Sequence, residues 1–139
     1  FSVGTHGSTN GSTNGIIAYC FAEKKGYSKF GSYTGNGDAD GTFVYTGFKP
    51  AFIIAKDTGA TNAWYMFDSK RSSYNGQGAR LMADASDAEV TNNNFDILSN
   101  GFKNRLSGTG TNRSGGTYIF MAFAESPFVN SNGVPNNAR

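Results

Sequence analysis

Hydrophobic residues in this chain fall in short alternating runs, each broken by glycine, asparagine or proline. In Asn62-Ala63-Trp64-Tyr65-Met66-Phe67-Asp68 the alternation puts Trp64, Met66 and Asp68 on one face and Tyr65 and Phe67 on the other. A period of two belongs to a strand, whose successive side chains point to opposite faces. The pattern predicts strands over residues 29–34, 42–46, 52–56, 63–68, 95–98, 101–106 and 117–125. Between them stand Gly35-Asn36-Gly37, Lys49-Pro50, Thr58-Gly59, Asn75-Gly76 and Asn100-Gly101, which supply the backbone angles of tight turns. Short strands at this spacing predict an all-β fold, a β-sandwich of jelly-roll type. Only residues 83–89 carry the composition of a helical turn.

One pattern occurs twice. Asn14-Gly15-Ile16-Ile17-Ala18-Tyr19-Cys20-Phe21-Ala22-Glu23 returns as Gly116-Thr117-Tyr118-Ile119-Phe120-Met121-Ala122-Phe123-Ala124-Glu125. Both copies follow a polar loop that trails from a phenylalanine, Phe1 or Phe102. The expected organisation is therefore a repeat: residues 1–28 close a preceding unit and contribute a strand, residues 29–128 form a complete sandwich, and residues 129–139 are a tail. The strand 16–23 is expected in the same sheet system as 117–125, or in its equivalent place in a neighbouring copy. Cys20 shares a face with Ile16, Ala18 and Ala22, which reads as a buried, inert thiol.

Composition supports strands over helices. Gly contributes 19 residues, Phe 12 and Tyr 7, and aromatic rings suit pleated, half-buried surfaces. The net charge of +2 comes from interspersed residues, without the basic run that a phosphate backbone would select, so nucleic acid is not an expected partner. No apolar stretch is longer than Tyr118 to Ala124, which is too short for a membrane-spanning helix, and no membrane insertion is expected. Phe1 opens the sequence without an initiator Met, which reads as a processed or excised piece.

The chemistry-bearing residues do not assemble into a catalytic set. The one histidine, His6, lies in a Gly/Ser/Thr loop. Glycoside hydrolysis would draw two carboxylates from Glu23, Glu89 and Glu125, but Glu23 and Glu125 close equivalent strands and read as structural. Asn36-Gly37-Asp38-Ala39-Asp40-Gly41 imitates the first half of a calcium loop. Its twelfth position is Gly47, where a glutamate is required, so Asn36, Asp38 and Asp40 read as a plain turn and no cofactor is expected. Two Asn-x-Ser sequons occur, at Asn10 and Asn112. Trp64 reads as a core residue, with a sugar-stacking platform as the rival. Asp68 and Arg71 are placed to pair. Arg71, Tyr74 and the triplet Asn92, Asn93 and Asn94 read as exposed loop residues, where binding usually resides on a rigid sandwich.

A family resemblance joins these readings. Lys29-Phe30-Gly31-Ser32-Tyr33-Thr34-Gly35-Asn36-Gly37, Asp40-Gly41 and Phe43-Val44-Tyr45-Thr46-Gly47-Phe48-Lys49-Pro50-Ala51 carry it first. Trp64, Asp68, Lys70-Arg71, Leu98-Ser99-Asn100-Gly101-Phe102-Lys103, Ser114-Gly115-Gly116-Thr117-Tyr118-Ile119 and Met121-Ala122-Phe123-Ala124-Glu125-Ser126-Pro127-Phe128 complete it. Over residues 27–128 the chain resembles the β-rich, tail-fibre-like repeats of structural proteins in tailed bacteriophages, notably those of marine cyanobacteria. Asn137-Ala138-Arg139 is similar to the carboxyl terminus of several of them. The resemblance implies a concanavalin-like sandwich and a non-enzymatic virion protein, a tail fibre or receptor-binding module displayed in several copies. It transfers no catalytic residue. The rival readings are a purely structural or decorating repeat that binds only copies of itself, and a glycan depolymerase domain. Expected partners are copies of the chain, as a trimer or filament, and a host-surface glycan if the module is an adhesin. The expected location is the virion or the extracellular space.

Overall fold

The structure, a computed structural model, describes residues 2–12, 15–72 and 77–126. Eight strands carry the fold: β1 (Ser28–Thr34), β2 (Phe43–Tyr45), β3 (Pro50–Asp57), β4 (Tyr65–Asp68), β5 (Gln77–Met82), β6 (Val90–Leu98), β7 (Gly101–Asn104) and β8 (Thr117–Ala124). They form one antiparallel ladder in the order β1-β8-β3-β4-β5-β6-β7-β2. Pairing of β1 with β8 and of β2 with β7 nests the two ends of the sandwich in jelly-roll fashion. The middle, β3 to β7, is a plain meander.

The ladder cannot be flat. Tyr33 on β1 and Phe102 on β7 are six strands apart, which in a flat sheet is about 29 Å at ~4.8 Å per strand. Their ring centroids lie 6.0 Å apart. Phe102 also meets Phe120 of β8 at 5.5 Å. The ladder therefore folds over, and its two halves face each other as the layers of a sandwich. Between them Phe67 meets Phe95 edge-on at 4.4 Å and Phe95 meets Phe102 tilted at 4.9 Å, all three fully buried. Ile53, Ala55, Tyr118 and Ala122 complete the inner face of β3 and β8. The expected all-β sandwich is the observed one.

Local departures have local causes. Residues 83–89 form no helix: a turn at Ala83–Asp84 leads into exposed irregular chain. The only helix among the described residues is α1 (Gly7–Asn10), capped by His6, whose Nδ1 accepts from Ser8 N at 3.2 Å. Strand β5 was not expected, and β6 starts at Val90, well before the predicted Phe95. Residues 16–23 are not a strand here. No β-pairing among the described residues reaches them, apart from a single bridge between Lys24 and Ser28 just beyond.

Candidate functional site

The predicted loop surface does not form as expected. Asn92, Asn93 and Asn94 lie inside β6, not in a loop. Asn94 is fully buried: its Nδ2 donates to Asn92 O at 2.6 Å, and its Oδ1 accepts from Arg80 Nη1 at 3.2 Å. Asn92 stays exposed. The triplet is held in the ladder because β5 supplies a neighbour strand, which polar composition alone does not reveal. Arg71 is half-buried in the turn after β4, where Nη1 pairs with Glu89 Oε2 at 2.7 Å. It does not pair with Asp68, whose Oδ1 instead accepts from Lys70 N at 2.7 Å, as an Asx turn demands. Tyr74 lies outside the described residues.

The calcium-like string is a self-satisfied turn. Asn36 Oδ1 accepts from Asp38 N and from Asn112 Nδ2, and Asp38 Oδ1 accepts from Asp40 N. Asp40 pairs with Lys103 at 2.5 Å and with Arg105 at 3.6 Å. The hydrogen bond from Lys103, then its charge, holds the Asp40 carboxyl below the usual range. Asn36 Oδ1, Asp38 Oδ1 and Asp40 Oδ1 are thus engaged by the turn, Lys103 and Arg105.

Beside this turn, residues 105–116 close one end of the sandwich through polar side chains. Asn112 is fully buried. Its Nδ2 reaches Asn36 Oδ1, Asp38 O and Leu106 O, and its Oδ1 accepts from Asn36 N. That burial removes Asn112 as a glycan acceptor in the folded chain. Asp57, also fully buried, takes Arg113 Nε and Nη2 at 3.2 Å each and Gly59 N at 2.8 Å. The Arg113 hydrogen bonds lead in pulling its carboxyl below the usual range, against the opposing effect of burial. Tyr33 and Tyr118 stack at 5.0 Å and donate to Thr111 O and Thr109 O. Burial pushes the Tyr33 phenol strongly up, so it remains a neutral donor. Each group in this cluster has a structural partner.

The carboxylates that an enzyme would use are also engaged. Glu125 pairs with Lys49 at 2.8 Å and Lys70 at 3.7 Å, Glu23 with Lys29 at 2.8 Å, and Glu89 with Arg71. Trp64 is half-buried at the start of β4, its N–H backbone donor on Asp84 Oδ1. The core rings that β4 supplies are Tyr65 and Phe67.

The least satisfied surface is the leading segment, residues 15–23. Ile16 is 50% exposed, Ile17 79%, Tyr19 80% and Phe21 57%. Cys20 is exposed as well, which corrects the buried thiol: its face needs a sheet to lie against, and none is present. Phe21 packs among rings, its centroid 6.0 Å from that of Phe30 and 5.9 Å from that of Phe123. It lies over the outer face of β8, where Ile119 is 40% exposed and Met121 and Phe123 are half-buried. The repeat in the sequence was the signal for this surface. What could not be read there was that the two copies have such different surroundings.

A family model described as Domain of unknown function (DUF7483) matches residues 1–127, a span that takes in the leading segment as well as the sandwich. No curated protein matches the chain, and no solved structure does.

Proposed function

Since the chain belongs to the DUF7483 family, whose function is open, we propose that it is a non-enzymatic building block of a fibre-like virion assembly, one of a series of like units. The observation that carries this reading is the leading segment: an apolar strand sequence exposed over residues 15–23, repeating the sequence of β8. Exposed apolar surface of this kind belongs to contact with another protein surface. The resemblance to tail-fibre-like phage repeats supports the same reading. Burial of Asn94 and the pairing of Arg71 with Glu89 favour self-association over receptor binding as the role of this chain.

The test is imaging of intact particles labelled with an antibody fragment raised against the folded domain. Label at several regularly spaced positions along a fibre is the expected result. Particles without label, or with label at one non-repeating place, would overturn the proposal.

A further inference from the structure

In β8 both faces are apolar. Tyr118, Phe120 and Ala122 point into the core, and Ile119, Met121 and Phe123 point outward. The strand is also hydrogen-bonded on both edges, to β1 from Thr117 to Phe123 and to β3 from Tyr118 to Ala124. Apolar residues on both faces and no charge along the strand mark a central position in a sheet. An edge strand reads differently. β1, which is at the edge of the ladder, carries Ser28, Lys29, Gly31, Ser32 and Thr34 among its seven residues.

Residues 15–23 are written like β8 and not like β1. Ile16, Ala18 and Cys20 fall at the positions of Tyr118, Phe120 and Ala122, while Ile17, Tyr19 and Phe21 fall at those of Ile119, Met121 and Phe123. Ile17, Phe21, Ala22 and Glu23 are identical to Ile119, Phe123, Ala124 and Glu125. Among the described residues no backbone N–H of residues 15–23 has a partner, and of their carbonyls only Ala22 O is used, accepting from Ser28 Oγ at 3.1 Å. A central strand without neighbours on either edge lacks its sheet.

We infer that residues 15–23 are the eighth strand of another unit of this same fold, seated between that unit's β1 and β3 and joined through the turn at Lys24 to Tyr27 to the sandwich described here. In that seat Ile16, Ala18 and Cys20 face the core of the other unit, and Cys20 is buried as Ala122 is in this one. The inference rests on reading the chain as one of a series of like units, but not on where that series is displayed. Ile16 and Ala18 are smaller than Tyr118 and Phe120, so the accepting core must be bulkier at the facing positions than this one.

The test is a chain in which residues 28–115 are placed ahead of residue 14 and run on to residue 139. Its leading unit has β1 to β7 and no eighth strand except residues 15–23. A second version carries Ile16→Tyr and Ala18→Phe to restore the lost volume. The expected result is that amides of residues 16–23 exchange about a hundredfold or more slowly than in the 139-residue chain, in at least the second version, with both units folded. An unfolded leading unit in both versions would overturn the inference. So would self-association of the 139-residue chain that already protects residues 16–23, since that assigns the segment to pairing at a free edge. Particle imaging tests location and this experiment tests strand placement, so either can fail alone.

Discussion

Asp57 shows how single residues hold the end of the sandwich. Its carboxylate lies within the fold against Tyr118, its cross-strand partner, and meets the Arg113 guanidinium side-on with two contacts. The pair fixes the loop that Tyr33 and Tyr118 also fasten. Because the folded pKa lies below the unfolded one, ionised Asp57 adds stability at neutral pH, and that stability is lost as pH falls through the folded value. Asp40 and Glu125 are shifted in the same direction by Lys103 and Lys49. Stability should therefore fall as pH drops below the ordinary carboxylate range. Asp57→Asn should weaken the fold at pH 7 by about 1–3 kcal/mol and flatten the acid limb, as read from urea midpoints across pH. An unchanged midpoint at pH 7 would show that the Arg113 contact does not stabilise the fold.

Among the elements, strand β2 is the most dependent on its neighbour. Three residues long, it pairs only with β7, and Gly101 lies opposite Tyr45. A Cβ at Gly101 would collide with Val44 O and press on the Phe43 ring. Gly101→Ala should cost about 1–3 kcal/mol and speed exchange of the β2 amides more than those of β3 or β8. Equal loss of protection across all strands would contradict this. The same scale shows what the sequence made legible. Strands β3, β4 and β8 announce themselves through short aromatic and β-branched apolar runs bounded by turn residues. Strand β5 does not: it contains Gly78, and its Arg80 faces Phe67 across the ladder, accommodated by the Tyr65 ring at 4.7 Å and by Asn94. Residues 91–94 read as loop for the same reason, since pairing with β5 and burial of Asn94 are decided by the other strand. Of the candidate binding residues, Asn92, Asn93 and Asn94 lie in that region, while Arg71 lies in the turn after β4. Residues 16–23 fail in the opposite way, with a strand-like apolar run and no partner, because a strand is a property of two segments and not of one.

For the molecule as a whole, the sandwich closes over its own core and leaves the leading segment as the large exposed apolar element among the described residues. Packing of Phe21 over Phe30 and Phe123 covers only part of that segment. The central claim is that this chain is one unit in a series, whose leading strand completes its neighbour. Cys20 reports on that claim directly, being the only cysteine in the chain and exposed in the single unit. The decisive measurement is the rate at which a thiol reagent labels Cys20 in the isolated 139-residue chain and in the intact native assembly. Labelling as fast as a free thiol in the isolated chain, and slowed about a hundredfold or more in the assembly, is the predicted result. Equal, fast labelling in both would contradict the account, because the strand would then be uncovered where the protein works.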